Sequence, residues 1–163
     1  MMADFDKAVE RTFDFEGGYV NHRQDKGGAT KYGISARSYP DEDIENLTLE
    51  RAKFLYRRDY WDPLKLDQIV DQVIADEFFD TAVNMGLRTA AQIAQEALGY
   101  LGVKVDVDGN MGPQTIAAVN SYRHKDVLLK TMNGLQFMRY INIVKVNPEQ
   151  KVFFRGWLSR IEI

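Results

Sequence analysis

The residue whose surroundings most plainly call for a chemical explanation is Glu16, in the run Phe15-Glu16-Gly17-Gly18-Tyr19. A carboxyl that donates a proton near neutral pH must resist ionisation, and both burial and the negative end of a helix dipole provide that resistance. Phe5, Ala8, Val9, Thr12 and Phe13 recur at the spacing of one helix face, and the same count brings Glu16 close to that face. Gly17-Gly18 then supplies residues with which helices commonly stop, so Glu16 is expected in the last turn. Residues 19–35 follow as a short hairpin, punctuated by Gly27-Gly28 and Gly33 and carrying Asp25, Thr30, Tyr32 and Ser35. That hairpin would set a second carboxylate and several hydroxyls on the wall opposite the acid. Plainer roles stay open. A Glu before Gly-Gly can simply end a helix, Asp25 can stabilise a turn, and Thr30 can be an ordinary β-branched strand residue.

Asp25 lies nine positions after Glu16, and Thr30 follows further along the hairpin. This plan resembles phage-type lysozymes. Within them, Glu16-Gly17-Gly18-Tyr19 with Asp25, Gly27-Gly28, Thr30 and Tyr32-Gly33-Ile34-Ser35 resembles the glycoside hydrolase family 108 muramidases, which include N4-type phage endolysins and secretion activator proteins. The resemblance implies a mostly α, lysozyme-like helical bundle with a small β-hairpin at the cleft. It implies cleavage of the β-1,4 bond between N-acetylmuramic acid and N-acetylglucosamine in peptidoglycan, with Glu16 as general acid. Asp25 would stabilise an oxocarbenium-like sugar or help activate water, and Thr30 would orient that water. Tyr19, Tyr32, Ser35 and Asn84 would bind substrate. The chain departs from the family where relatives carry Asp-Pro-Asp-Asp-Pro: here stand His22-Arg23-Gln24-Asp25-Lys26, and Lys31 replaces an Asn beside the Thr. Asp25 is therefore the acidic partner left in the hairpin. Two rivals follow from the same residues, a lytic transglycosylase working through one Glu and a non-catalytic wall-binding or secretion-accessory protein.

Composition narrows the classes. The 163 residues, 45% of them hydrophobic, suffice for a sizeable core. A net charge of −3 speaks against a chain that coats nucleic acid. Without cysteine there is no disulfide framework and no thiol nucleophile, and two distant histidines, His22 and His124, make a metal centre improbable. No cofactor is expected. The amino terminus lacks the basic and apolar regions of a secretory signal, and no apolar run is long enough to cross a membrane. The expectation is a monomer made in the cytoplasm, without stable membrane insertion, that reaches peptidoglycan glycan strands in the cell wall or periplasm after release or export.

Helical patterns must carry these residues. Thr48 is placed to cap a helix with Ala52, Leu55 and Tyr56 inward, ending near Tyr60-Trp61-Asp62-Pro63, where Trp61 reads as core. Residues 69–85 carry Ile69, Val73, Ile74, Phe78, Ala82 and Met85 on one stripe that stops at Gly86. Asn84 near its end could bond a sugar N-acetyl group or be a buried amide tied to a neighbouring loop. Glu77 and Asp80 read as solvated or salt-bridged. An Ala/Gln-rich helix follows, then Asp106-Val107-Asp108-Gly109-Asn110-Met111-Gly112-Pro113-Gln114-Thr115. This resembles the loop of a small peptidoglycan-binding-like module. A calcium loop is excluded, because positions six and twelve from Asp106 are Met111 and Ala117 rather than Gly and Glu. Asp108 and Thr115 read as turn and cap residues before a helix opened by Pro113. Leu128, Met132, Leu135, Met138, Ile141 and Val144 predict a long helix closed by Pro148, and Val152, Phe153, Phe154, Trp157, Leu158 and Ile161 a packed tail. The expected division is a lysozyme-like part over residues 1–86 and a peptidoglycan-binding-like helical part over residues 87–163, sharing one body.

Overall fold

The computed structural model describes residues 2–16 and 30–161, and for residues 13–16 the backbone alone. Asp25 and Tyr19 lie outside the described residues. Among the described residues the fold is mostly helical and lysozyme-like, with one two-stranded antiparallel sheet. Helix α1 spans Phe5–Glu16, β1 Thr30–Lys31, β2 Ile34–Ser35, α2 Leu49–Tyr56, α3 Gln72–Met85, α4 Leu87–Tyr100, α5 Pro113–Ser121, α6 Lys125–Val146 and α7 Lys151–Leu158.

Local chemistry accounts for most boundaries. The Thr48 side chain accepts from the Arg51 N–H and opens α2. Its helix then widens into a π-helical turn over Arg57–Trp61, closed by the Asp62 N–H on the Arg57 carbonyl at 2.9 Å. This extra residue turns Trp61 fully inward, edge-on to Phe5 and Phe79, with its indole N–H on Asp67 at 2.6 Å. Asp71 caps α3 through the Ile74 N–H. One residue, Gly86, separates α3 from α4: its φ of +86° suits glycine, its N–H reaches Ala82, and its carbonyl accepts from Ala90. Pro113 sits in the first turn of α5, where its missing N–H costs nothing.

A contiguous set of buried apolar residues runs from Ala3 to Met132, with α3 and α4 at its centre. Three apolar assignments differ from the sequence pattern. Ile69 is buried, but in the extended residue after a 3-10 turn at Leu66–Gln68, ahead of the Asp71 cap; Val73, in the first turn of α3, faces solvent. In α6 the inward stripe is Leu128, Met132, Gln136 and Tyr140, stepping by four with Asn133 beside it, so Met138 falls on the outer face. Buried polar side chains broke the apolar pattern there. The tail is the third difference. Helix α7 has no fully buried residue, and Val152 and Phe153 are exposed. It packs mainly on α6 and the turn at Pro148–Gln150, and its outer face is left to solvent.

Candidate active site and its flanking grooves

Glu16 is the final residue of α1, and its side chain lies outside the described residues. Its register position follows buried Thr12 by one turn, on the helix that also buries Ala8 and Val9. Two contacts orient α1 on α3: Asp4 exchanges bonds with Gln72, and Arg11 approaches Asp76 at 3.9 Å. The helices therefore run in the same general sense, and the Glu16 end of α1 is directed towards the half of α3 that carries Asp80 and Asn84.

The hairpin is built on a two-residue turn. Thr30 pairs with Ser35 and Lys31 with Ile34, while Tyr32 and Gly33 have φ of +53° and +74°, as a type I′ turn requires. Tyr56 of α2 donates its hydroxyl to the Tyr32 carbonyl at 3.1 Å, and buried Ile34 anchors the second strand. Lys31 reaches the Glu45 carbonyl and sits 5.8 Å from the Tyr32 ring centroid. The Ser35 hydroxyl serves a local turn, donating to Ser38 Oγ and accepting from the Ser38 N–H. Thr30 and Ser35 thus stand opposite each other, whereas Tyr32 is positioned through its backbone.

Beyond the hairpin, Ser38, Tyr39, Arg58, Asp59, Tyr60 and Gly86 line a cleft of about 600 Å³. Asp59 accepts two bonds from Arg58 and one from the Tyr39 hydroxyl. The Arg58 guanidinium and then the Tyr39 hydroxyl hold its carboxyl below the usual 3.8; burial, with Asp59 as acceptor, pushes the Tyr39 phenol well up.

Asn84, expected either at the substrate or tied to a loop, is tied to its own helix. Its Nδ2 donates to the Asp80 carbonyl at 2.8 Å and to Asp80 Oδ2 at 3.2 Å. Asp80 in turn accepts from Arg160 Nη1 at 3.0 Å. The salt-bridged reading of Asp80 is the one observed, while Glu77 accepts from Thr81. Asn84 also lines two grooves, of about 710 Å³ and 420 Å³, that share Trp157. The larger includes Arg139, Tyr140, Asn142 and Gln150, residues that the sequence pattern left unassigned. Their one visible signal was Tyr140 two turns after Asn133 on a helix otherwise read by its aliphatic residues.

In the carboxy-terminal half, Gln95 organises the Asp108 turn. Its Nε2 donates to Asp108 Oδ1, the Asn110 carbonyl and Thr115 Oγ1, and its Oε1 accepts from the Gly109 N–H. Among the described residues no group of three His, Cys, Asp or Glu side chains is placed to hold a metal ion, and no helix is long and apolar enough to cross a membrane.

Residues 9–86 match the family model described as Glycosyl hydrolase 108, and residues 89–162 the model described as Predicted Peptidoglycan domain. No curated protein matches the chain in sequence. Among solved structures, Brucella abortus SagA superposes with a TM-score of 0.76 at 28% identity, over 96% of this chain and 88% of that one.

Proposed function

The chain belongs, through residues 9–86, to the glycosyl hydrolase 108 family and is a glycoside hydrolase acting on peptidoglycan; from that premise we propose that it is an N-acetylmuramidase with Glu16 as its general acid. The bond cleaved is the β-1,4 linkage between N-acetylmuramic acid and N-acetylglucosamine. The supporting observation is that α1 carries Glu16 as its final residue, beyond the buried Ala8, Val9 and Thr12, with the Thr30–Ser35 hairpin pinned to α2 by Tyr56.

The carbonyl end of α1 disfavours a carboxylate at position 16, and a low-dielectric setting would do so further. A protonated Glu16 gives its proton to the glycosidic oxygen as the bond to the anomeric carbon breaks, and positive charge develops on the sugar ring. Asp25 opposes that charge or takes a proton from the attacking water, and Thr30 holds the water. Tyr19, Tyr32, Ser35 and Asn84 complete the substrate-binding set. The chain works as a monomer on glycan strands of the cell wall, which it reaches by release or export.

Glu16→Gln keeps the shape and removes the donor. Reducing-end release from purified peptidoglycan is expected to fall by at least about a hundredfold, and the parent's products should carry added water rather than a 1,6-anhydro ring by mass spectrometry. Turnover of the variant at the parent's rate would reject the assignment of Glu16, and anhydro products would reject hydrolysis.

A further inference from the structure

The two grooves that meet at Asn84 and Trp157 join residues from both halves of the chain. Along their wall three aromatic rings form a ladder. Tyr140 stacks on Trp157 at 5.1 Å and 15°, and Phe153 on Trp157 at 6.2 Å and 28°. Tyr140 is buried, Trp157 half-buried and Phe153 56% exposed, so the ladder rises from the core to solvent. An exposed ring held by stacking offers a flat apolar surface at little entropic cost, which suits the C–H face of a pyranose.

The polar groups on the same grooves favour a neutral ligand. Asn84 is held in one orientation, since both its Nδ2 bonds end on Asp80 oxygens and a flipped amide would set oxygen against oxygen. Its Oδ1 is therefore the atom left to accept, and the complementary donor is an amide N–H. Asn142 and Gln150 add side-chain amides to the lining of the larger groove. The two arginines of the grooves are already engaged, Arg139 with Glu96 and Arg160 with Asp80, each at 3.0 Å. A free stem-peptide carboxylate would have to displace one of those acids.

We propose that the Asn84–Trp157 groove is a glycan subsite for N-acetylated aminosugars, in which Asn84 Oδ1 accepts the acetamido N–H and the exposed Phe153 ring, backed by Trp157, carries the sugar face. This rests on the peptidoglycan hydrolase reading and adds residues of the carboxy-terminal half to its substrate contacts. The occupant is the sugar backbone rather than the peptide.

The test uses the full chain carrying Glu16→Gln, titrated calorimetrically with tri-N-acetylchitotriose and sedimented with insoluble peptidoglycan. Adding Phe153→Ala is expected to weaken both interactions roughly fivefold to tenfold. Asn142→Ala with Gln150→Ala, both at the groove surface, is expected to weaken them by a factor of about three or more. Tyr100→Ala, which lines neither groove, should leave both unchanged. Equal affinities for parent and groove variants overturn the subsite, as does binding of free stem peptide without chitotriose. The catalytic assignment fails separately, by undiminished turnover in Glu16→Gln, so the two failures are distinguishable.

Discussion

Arg160 donates from Nη1 to Asp80 Oδ1 at 3.0 Å, joining the carboxy-terminal segment to the middle of α3 across eighty residues of chain. The two side chains are 13% and 19% exposed, so water screens the pair weakly, and Asp80 spends its other oxygen on Asn84. Arg160→Ala is expected to lower stability by roughly 1–3 kcal/mol, because the Asp80 charge stays behind partly buried. Urea denaturation of the single and Asp80→Ala double variants checks this: the double should lose less than the sum of the singles.

Tyr140 behaves in the opposite way. Its ring stacks on Trp157, but its hydroxyl is buried with no hydrogen-bond partner among the described residues. Tyr140→Phe keeps the stack and removes a desolvated polar group, so a gain of about 0.5–1.5 kcal/mol is expected at neutral pH. Burial, with the nearby Asp80 charge, pushes this phenol from 10.0 up to about 12. An unfolded chain therefore ionises first, and stability falls as pH rises above about 10. Denaturation at about pH 7 and pH 11 should show a smaller alkaline loss in Tyr140→Phe than in the parent. An equal loss would place the titrating group elsewhere.

Asp59 gives an acid-side counterpart. Arg58 and then Tyr39 hold its carboxyl below 3.8, so the stabilisation it adds is present above that pH and is lost as pH falls through the lowered value. Asp59→Asn is expected to lose stability at neutral pH and to show a shallower decline under acid than the parent. Thermal melts from neutral to acidic pH measure both slopes.

Gln95 is a buried polar side chain with several partners. It is 1% exposed and holds the Gly109 N–H, Asp108 and Thr115 together. Gln95→Leu leaves the buried Gly109 N–H and Thr115 hydroxyl without that partner and takes one donor from the exposed Asp108 carboxylate, and a loss of about 2–4 kcal/mol is expected. Gln95→Glu keeps the acceptor for Gly109 but faces Asp108 with a second negative charge, so it should recover only part of that loss, and less at neutral than at acidic pH. Chemical denaturation of both variants decides it.

Much of this architecture is legible in the chain itself, because the forces concerned act over a few residues. Thr48 before an amphipathic run, Pro113 at a helix start and Gly86 at a helix end state their roles through local hydrogen bonds and φ preferences. Glu16 stands out for the same reason, as an acid at the end of a helical pattern and before Gly-Gly. What each helix face meets was decided by distant segments. Phe153 reads as core by its period but stays 56% exposed, because α7 packs mainly on α6 and its following turn and Phe153 falls away from them. Gln136 and Tyr140 fall outside the aliphatic pattern yet are buried, with Thr81 of α3 and Trp157 of α7 opposite them. Asp80 takes its charged partner, Arg160, from eighty residues away. Periodicity tells which residues share a face; burial and pairing depend on which neighbour covers that face, and only the packed chain supplies it.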